Sequence, residues 1–312
     1  KQNSVQLRFN SWRRHLEEAT GLDFQDLRGP LKPMIKGCLS ESDIAEMENV
    51  SPDEATWLFA AQTYFSIVVK GVLDQAFSPD VSAEVETQGD NDVRRRLADL
   101  ESGDTFVSRG LPRLPAGDPF AWIGAAWNER LLEPLRDLFS AIDSFDAQEC
   151  LDAAAEGRDP LAGLYQGLFP KKVRHVLGEF YTPGMLADHL LTLACSERKI
   201  GEASASDLPF DLNASTRVLD PACGSGTFLL KVLQRLRSEA PDEPTYAKSV
   251  VANVAGFDLN PIAVLMAGVN FLFALGEEAI SLRDAEIPVY LFDSIQGREV
   301  EGEVLQDSSR KT

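Results

Sequence analysis

A short loop in the second half of the chain carries the clearest pattern for ligand chemistry. Residues 217–220 contain a short apolar run, Pro221 stops it, and the small residues 222–226 follow before an apolar helical run begins. This order predicts a strand, a glycine turn and a helix. Gly224 and Gly226 can adopt positive φ angles and have no Cβ, so a ligand could approach the backbone closely. A plain tight turn between strand and helix is the alternative interpretation.

Two familiar phosphate-binding patterns do not fit this loop. A dinucleotide fingerprint, Gly-x-Gly-x-x-Gly, requires a small residue at position 229, where the chain has a leucine. A P-loop requires Gly-Lys-Ser/Thr, and no such lysine is present. Asp220, at the end of the predicted strand, disfavours a polyanion and favours a cationic group such as an amine.

Two further acidic residues end predicted strands. Asp258 is placed to accept hydrogen bonds from both hydroxyls of a ribose, whereas capping of the next helix is better assigned to Asn260. Asp293 could accept a hydrogen bond from an adenine amino group, and a helix cap or a plain turn fits it equally well. An amine-binding acid, a bare glycine loop and a ribose-binding acid together fit an aminoacyl nucleoside without phosphates. S-adenosylmethionine is such a molecule.

The first half of the chain is predicted to be helical. A capping box at residues 51–54, with Pro52 at the first helical position, opens a helix that runs to about Phe77. Residues 81–119 read as a polar excursion with one short helix around residues 92–101. Further helices are predicted from Pro119 onward with a bend or restart at Pro134, and over residues 161–169 and 171–177. Three consecutive arginines at positions 94–96 read as a solvated face, with contact to a phosphate backbone as the alternative.

After Gly178, predicted strands and helices alternate. Alternation of this kind predicts a parallel, doubly wound sheet, although only three strands are present. Residues 201–215 read as a polar loop and residues 296–312 as a surface loop. The predicted strands cover residues 217–220, 255–258 and 287–292, and the predicted helices cover Gly184–Cys195, Thr227–Glu239, residues 246–253 and Pro261–Leu275.

Three motifs in a fixed order resemble a known enzyme family. GEFYTP at residues 178–183, DPACGSGTFL at 220–229 and GFDLNP at 256–261 are similar to motifs of the adenine-N6 DNA methyltransferases of type I and type IIG restriction–modification systems. The resemblance covers about residues 160–295. It implies an α/β fold with an all-α domain over residues 1–170. Residues 171–312 would then form the S-adenosylmethionine-binding half of a doubly wound, Rossmann-like methyltransferase domain.

The resemblance also implies roles for individual residues. Tyr181 and Thr182, in the segment closed by Pro183, would lie against the methionine portion of S-adenosylmethionine, and Asp220 would face its amino group. The remaining implied contacts are Ala222, Gly224 and Gly226 beneath the methionine portion, Asp258 at the ribose hydroxyls, Leu259 on the adenine ring, and Asp293 at the adenine amino group.

One motif of the family is missing. The family's catalytic Asn/Asp-Pro-Pro-Tyr/Phe sequence does not occur, because the chain contains no Pro-Pro dipeptide. In the family this motif follows the next strand, so we expect it, and the target-recognition domain, beyond Thr312. No catalytic residue is therefore assigned, and the chain alone is expected to be inactive. A Pro-Cys dipeptide is also absent, which disfavours a covalent cytosine-C5 mechanism.

The implied activity is methyl transfer from S-adenosylmethionine to adenine N6 of DNA within a restriction–modification or phage-defence system. DNA would be bound through the full-length protein, with restriction or specificity subunits or domains as further partners. Two alternatives stay open. One is an N-methyltransferase acting on RNA or on a protein glutamine, and the other is a non-catalytic module that binds S-adenosylmethionine.

Composition limits these interpretations. The net charge of −19 opposes general attraction to phosphate, so contact with nucleic acid requires a local basic surface or further sequence. Such acidity is typical either of a salt-adapted source or of an ordinary acidic protein.

Four widely separated cysteines and three histidines show no metal-ligand spacing, and reduced, buried cysteines in a cytoplasmic protein are expected. The sequence contains no run of about 18 apolar residues, so no membrane span is predicted. The chain begins with Lys1, and we expect it to be a piece of a longer protein.

Overall fold

The computed structural model describes residues 2–39, 52–78, 89–115, 118–195, 212–239, 242–283 and 285–299. Helices dominate the described part before residue 196, as the sequence predicts. Short 3-10 helices at Phe24–Leu27 and Glu129–Leu131 connect some of them. The α-helices are α1 Gln2–Thr20, α2 Arg28–Cys38, α3 Glu54–Ala76, α4 Asp90–Ser102, α5 Asp104–Ser108, α6 Leu132–Asp143, α7 Gln148–Ala155, α8 Leu161–Leu168, α9 Lys171–Val176 and α10 Gly184–Cys195.

Helix α3 begins later than predicted. Its N-cap is Asp53, whose carboxylate accepts hydrogen bonds from the backbone N–H of Thr56 at 2.9 Å and from the Thr56 hydroxyl at 2.6 Å. Pro52 therefore precedes the helix instead of occupying its first position, and Ser51 lies outside the described residues. An aspartate is as good an N-cap as a serine. The predicted helix is confirmed with a corrected start.

The predicted helix from Pro119 is wrong. Residues 119–126 form consecutive turns, and Asp118 accepts a hydrogen bond from the backbone N–H of Phe120 at 2.8 Å. Phe120 and Ile123 are nevertheless buried, so their helical spacing serves the core without a helix. Helix α6 begins at Leu132, which places Pro134 in its first turn, where a missing N–H costs little.

The three consecutive arginines are neutralised. Arg94 pairs with Glu129, Arg95 with Asp92 at 2.9 Å, and Arg96 with Asp143 at 2.6 Å. Arg94 and Arg95 are exposed, as the solvated-face interpretation predicts, whereas Arg96 is mostly buried with Asp143.

Four strands form the sheet: β1 Val218–Asp220, β2 Val254–Asp258, β3 Val289–Asp293 and β4 Arg298–Glu299. They lie in this order, with β1, β2 and β3 parallel and β4 antiparallel to β3. The parallel three-strand arrangement is confirmed. Strand β4 corrects the prediction of a loop from residue 296, because two of those residues pair with the end of β3. Residues 300–312, and residues 201–211 of the predicted polar loop, lie outside the described part.

Three helices accompany the sheet: α11 Thr227–Glu239, α12 Glu243–Asn253 and α13 Pro261–Leu275. All residues of α13 are buried, because α7 and α3 of the first half pack against it together with α11 and the strands. Leu219 and Tyr290 point away from these helices and remain 52% and 42% exposed. The described helices thus cover one sheet face, and the doubly wound arrangement stays a prediction.

Two helical segments of the described part, Glu54–Ala76 and Pro261–Leu282, are long and apolar enough to cross a membrane. Their apolar windows are 67% and 83% buried inside the protein, which is also the property of core helices.

Candidate functional site

Three carboxylates lie at one edge of the sheet. Asp220, Asp258 and Asp293 are the last residues of β1, β2 and β3, as predicted. Because the three strands are parallel, their carboxyl ends meet at the same edge, where ligands bind in open α/β sheets. The sequence therefore located the edge correctly.

The glycine loop connects this edge to α11. Gly224 and Gly226 have φ angles of 55° and 92°, which only glycine adopts without strain, so both predicted glycine roles have a backbone reason. A Cβ on Gly226 would lie 3.4 Å from the side chain of Ala267 in α13. The loop is held to β2 by a hydrogen bond from Cys223 N–H to the Phe257 carbonyl at 2.8 Å.

Gly256 also proves to be required, although sequence reasoning gave it no role. A Cβ there would lie 2.8 Å from Leu229 and 3.0 Å from the Cys223 sulfur, so a side chain would push the loop off the sheet. A glycine in the interior of a strand is the signal that could have indicated this close approach.

Asp258 joins the loop to the end of β2. Its Oδ2 accepts a hydrogen bond from Gly224 N–H at 2.8 Å, and its Oδ1 accepts one from Asn260 N–H at 2.8 Å. Burial raises the pKa of this carboxyl, and the two backbone donors oppose that effect. Each carboxylate oxygen can accept a second hydrogen bond, so acceptor positions for ribose hydroxyls remain. Asn260, not Asp258, caps α13, as expected.

Asp220 makes the site acidic. Its Oδ1 accepts a hydrogen bond from Ala222 N–H at 3.1 Å. Burial raises the pKa of Asp220, and the negative charge of Asp258 adds to this shift. Two neighbouring carboxylates favour a cationic group between or beside them and disfavour a phosphate.

The side chain of Asp293 stabilises the turn that follows β3. Its Oδ1 accepts hydrogen bonds from Ile295 N–H at 3.0 Å and from Gln296 N–H at 2.9 Å, which closes the turn between β3 and β4. The interpretation of Asp293 as a turn residue is thus confirmed, and its contact with adenine stays a prediction.

The segment with Tyr181, Thr182 and Pro183 lies beside the glycine loop. All three residues line a pocket of about 700 Å³ that also includes Thr227, the first residue of α11. Helix α10 begins at Gly184, and the carbonyl of Pro183 accepts its first hydrogen bonds. Thr182 therefore precedes the N-cap position, and its side chain is not committed to capping.

The ring of Tyr181 lies between Tyr165 and Arg174. Its ring packs edge-on against Tyr165 at 5.9 Å, and the guanidinium of Arg174 lies 5.8 Å above it. Burial raises the pKa of Tyr181, so its hydroxyl stays protonated. Tyr181 is therefore a fixed wall of the pocket.

A buried polar cluster supports the glycine loop from the helical half, and sequence reasoning missed it. Asp159 accepts hydrogen bonds from the Ser225 hydroxyl and from Asn270 Nδ2 at 2.8 Å. It also caps α8 through the backbone N–H groups of Leu161 and Ala162, both at 3.0 Å. The same Asn270 amide donates to the Ser225 carbonyl at 2.8 Å. Only the Asp-Pro sequence hinted at Asp159, and it indicated no more than a helix start.

Another contact also links the two halves at the edge of the site. His15 of α1 hydrogen-bonds through its ring to the carbonyl of Leu259, directly after Asp258. Burial lowers the pKa of His15, which favours the neutral ring. Leu259, the predicted adenine contact, is half-buried, and its backbone position depends on the N-terminal helix.

Glu179 is a buried acid with hydrogen-bond partners at only one of its two carboxylate oxygens in the described part. Its Oε1 accepts hydrogen bonds from the Tyr165 hydroxyl at 2.7 Å and from Asn260 Nδ2 at 2.6 Å. Its Oε2 is buried and has no hydrogen-bond partner among the described residues. Burial raises the pKa of Glu179 from 4.5 to about 7, against the effect of the two donors.

This pKa predicts a pH-dependent stability. Because the folded-state pKa lies above the ordinary value, the contribution of Glu179 is fully present below about pH 4.5 and is lost as the pH rises through about 7. The difference in unfolding free energy between wild type and Glu179→Gln should change by about 3 kcal/mol over that interval. Urea denaturation of both proteins at pH 5 and pH 8 measures it. A constant difference at the two pH values would contradict the assignment.

Within the described residues no group of three histidine, cysteine or acidic side chains could hold a metal ion. Cys150 and Cys223 are buried free thiols, and Cys195 is a half-buried one.

One segment of the chain is similar to a known protein family. The model of a family described as N-6 DNA Methylase matches residues 158–285. No curated protein sequence matches the chain. Among solved structures, the "cryoEM structure DrdV-DNA complex" is similar with 13% sequence identity and a TM-score of 0.37. That similarity covers 97% of this chain but only 28% of the DrdV chain.

The matched residues include the segment around Tyr181, the glycine loop and the ends of β1 and β2, so the family match and the described geometry concern the same place. Residues 158–285 of this chain are thus similar to the N-6 DNA methylase family over less than half of the chain.

Proposed function

We propose that this chain supplies the S-adenosylmethionine-binding part of a DNA methyltransferase that modifies adenine N6. The observation that carries the proposal is the pair Asp220 and Asp258 at neighbouring strand ends, bridged by the glycine loop. The acidic edge suits an amino acid ammonium group and ribose hydroxyls and disfavours phosphate. S-adenosylmethionine has these two groups and no phosphate.

The residues of the chain would bind and orient the cofactor, which supplies an electrophilic methyl group when it is bound. Asp220 would hold its ammonium group and Asp258 its ribose hydroxyls, while Leu259 would pack on the adenine ring and Asp293 meet its amino group. Ala222, Gly224 and Gly226 allow close approach of the methionine portion, and Tyr181 and Thr182, with Pro183, would close its other side. Fixing the donor in this way turns methyl transfer into an effectively intramolecular step once an adenine is presented.

Binding and activity should separate in this chain. We expect S-adenosylmethionine and its demethylated product to raise the melting temperature, whereas NAD and ATP at equal concentration should not. No methylated adenine should form with DNA, because the Asn/Asp-Pro-Pro-Tyr/Phe motif is absent from the sequence. Equal stabilisation by ATP would contradict the cofactor assignment, and methylated adenine in the product DNA would contradict the role of the missing motif.

The restriction–modification or phage-defence setting, cytoplasmic location and further restriction or specificity partners are part of the same proposal. They rest on the sequence motifs alone. Purification of the full-length protein with its bound partners is the experiment that tests them.

A further inference from the structure

The acids around the candidate site have no cationic partners in the described part of the chain. Four of them form no ion pair with a described residue: Asp159, Glu179, Asp220 and Asp258. The mostly buried acids Asp74, Asp118 and Asp143, away from the site, are each paired with a lysine or an arginine. Because a buried charge without a partner is costly, the site holds negative charge that a bound cation could neutralise.

Glu179 is the acid of this group with an unused oxygen atom. Its Oε1 accepts hydrogen bonds from the Tyr165 hydroxyl and from Asn260 Nδ2, whereas its buried Oε2 has no hydrogen-bond partner among the described residues. Glu179 lines the same pocket as Tyr181 and Thr182, which are the proposed contacts of the methionine portion. A buried carboxyl with a free oxygen therefore lies beside the place proposed for the sulfur atom of the cofactor.

The groups that act on the Glu179 carboxyl come from several elements. Asp258 at the end of β2 opposes its ionisation, and Arg174 of α9 favours it. Burial raises the pKa of Tyr165 and of Tyr181, so both neighbouring hydroxyls stay protonated. The other titratable groups in the lining of the pocket are Arg158, Asp159, Lys171, His175 and Lys231. Burial outweighs the effect of Arg174 and raises the pKa of Glu179 to about 7, so the carboxyl is partly ionised at neutral pH.

We propose that Glu179 is a specificity-determining residue that favours S-adenosylmethionine over its demethylated product, S-adenosylhomocysteine. This role rests on the proposed function, which puts the methionine portion beside Tyr181. The two molecules share the adenosine and amino acid groups and differ in one charge, because the sulfur is a sulfonium cation in the cofactor and a neutral thioether in the product. An ionised Glu179 attracts the sulfonium across a mostly buried region and gains nothing from the thioether.

The same difference couples binding to a proton. Binding of S-adenosylmethionine favours the ionised carboxylate of Glu179, and the proton of the carboxyl passes to the solvent. The product lacks the cationic sulfur, so the carboxyl regains its proton from the solvent and the product is held less tightly. Glu179 therefore adds discrimination between substrate and product to a site whose other acids contact groups that both molecules share.

Isothermal titration calorimetry with S-adenosylmethionine and S-adenosylhomocysteine at pH 5 and pH 8 tests the proposal. The preference is the Kd of the product divided by the Kd of the cofactor. The amino groups of the ligands titrate equally in every protein, so wild type is compared with Glu179→Gln, which is uncharged at both pH values and keeps an acceptor oxygen for Tyr165 and Asn260. From pH 5 to pH 8 the preference of wild type should rise by about 10-fold relative to Glu179→Gln, a modest value for two unit charges in a partly buried site.

Two further measurements accompany this comparison. Glu149→Gln removes an exposed glutamate of α7 and should behave like wild type at both pH values. Titration at pH 7 in two buffers of different ionisation enthalpy gives the number of protons released. Wild type should release more protons than Glu179→Gln on binding S-adenosylmethionine, and more than it releases on binding the product, after correction for the amino groups of the free ligands.

The outcomes keep this proposal apart from the proposed function. The same change of preference with pH in wild type and in Glu179→Gln would overturn the role of Glu179 and leave the proposed function intact, because both ligands still bind. No binding of either ligand to wild type at any pH would contradict the proposed function and this role together. Should Glu179→Gln fail to fold, as judged by circular dichroism, the corrected proton release of wild type decides, and equal numbers for the two ligands overturn the proposal.

Discussion

Replacing Asp258 by alanine should lower the affinity for S-adenosylmethionine by about 100-fold to 1,000-fold. The variant loses the acceptor for two ribose hydroxyls, and hydrogen bonds to a charged group contribute about 1.5–3 kcal/mol each. It also frees Gly224 N–H and Asn260 N–H, which the carboxylate holds at 2.8 Å in the wild type. The glycine loop should therefore lose its fixed position together with the ribose contact. Equilibrium dialysis with labelled cofactor measures the effect.

Asp26→Ala is the matched control for this variant. Asp26 is an exposed acid on the 3-10 helix Phe24–Leu27, so its removal changes the net charge equally but touches no part of the site. Its affinity should equal that of wild type. Unchanged cofactor affinity in a folded Asp258→Ala protein, as judged by circular dichroism, would contradict the ribose assignment.

The second large effect concerns stability. Asp159→Ala should lower the free energy of unfolding by about 3–5 kcal/mol, because it leaves several buried donors unsatisfied at once. The Ser225 hydroxyl and the two N–H groups at the start of α8 lose their acceptor, and Asn270 Nδ2 loses one of its two acceptors. The link between the helical half and the glycine loop is broken as well. Urea denaturation at a fixed pH measures this loss.

The variant Ser225→Ala distinguishes the stability contributed by the whole cluster from that of a single hydrogen bond. It removes one hydroxyl donor and leaves Asp159 with its other three partners, so we expect a loss of about 1 kcal/mol. The same loss for Asp159→Ala and Ser225→Ala would show that the cluster is not the support we infer.

The sequence predicted the elements with strong local signals. Helix α13 begins with Pro261 after the capping Asn260 and is closed by Gly276, and its predicted bounds agree with the structure. The three strand-end acids were located for a similar reason, since each follows a short apolar run. Local order is sufficient there because caps, turns and strand ends depend on neighbouring residues.

Interactions between distant residues could not be predicted. Asp159 meets Ser225 across 66 positions and Asn270 across 111, and nothing near any of them in the chain indicates the others. His15 reaches Leu259 across 244 positions in the same way. The false helix from Pro119 has a related cause, because Phe120 and Ile123 show helical spacing but are buried by tertiary contacts in a series of turns.

A crystal structure of the chain with S-adenosylhomocysteine, the demethylated cofactor, is the most direct test of the central claim. The account predicts ligand density across the ends of β1 and β2, with the ribose hydroxyls within hydrogen-bond distance of Asp258 and the amino group facing Asp220. Ligand density that leaves the ends of β1 and β2 empty would contradict it.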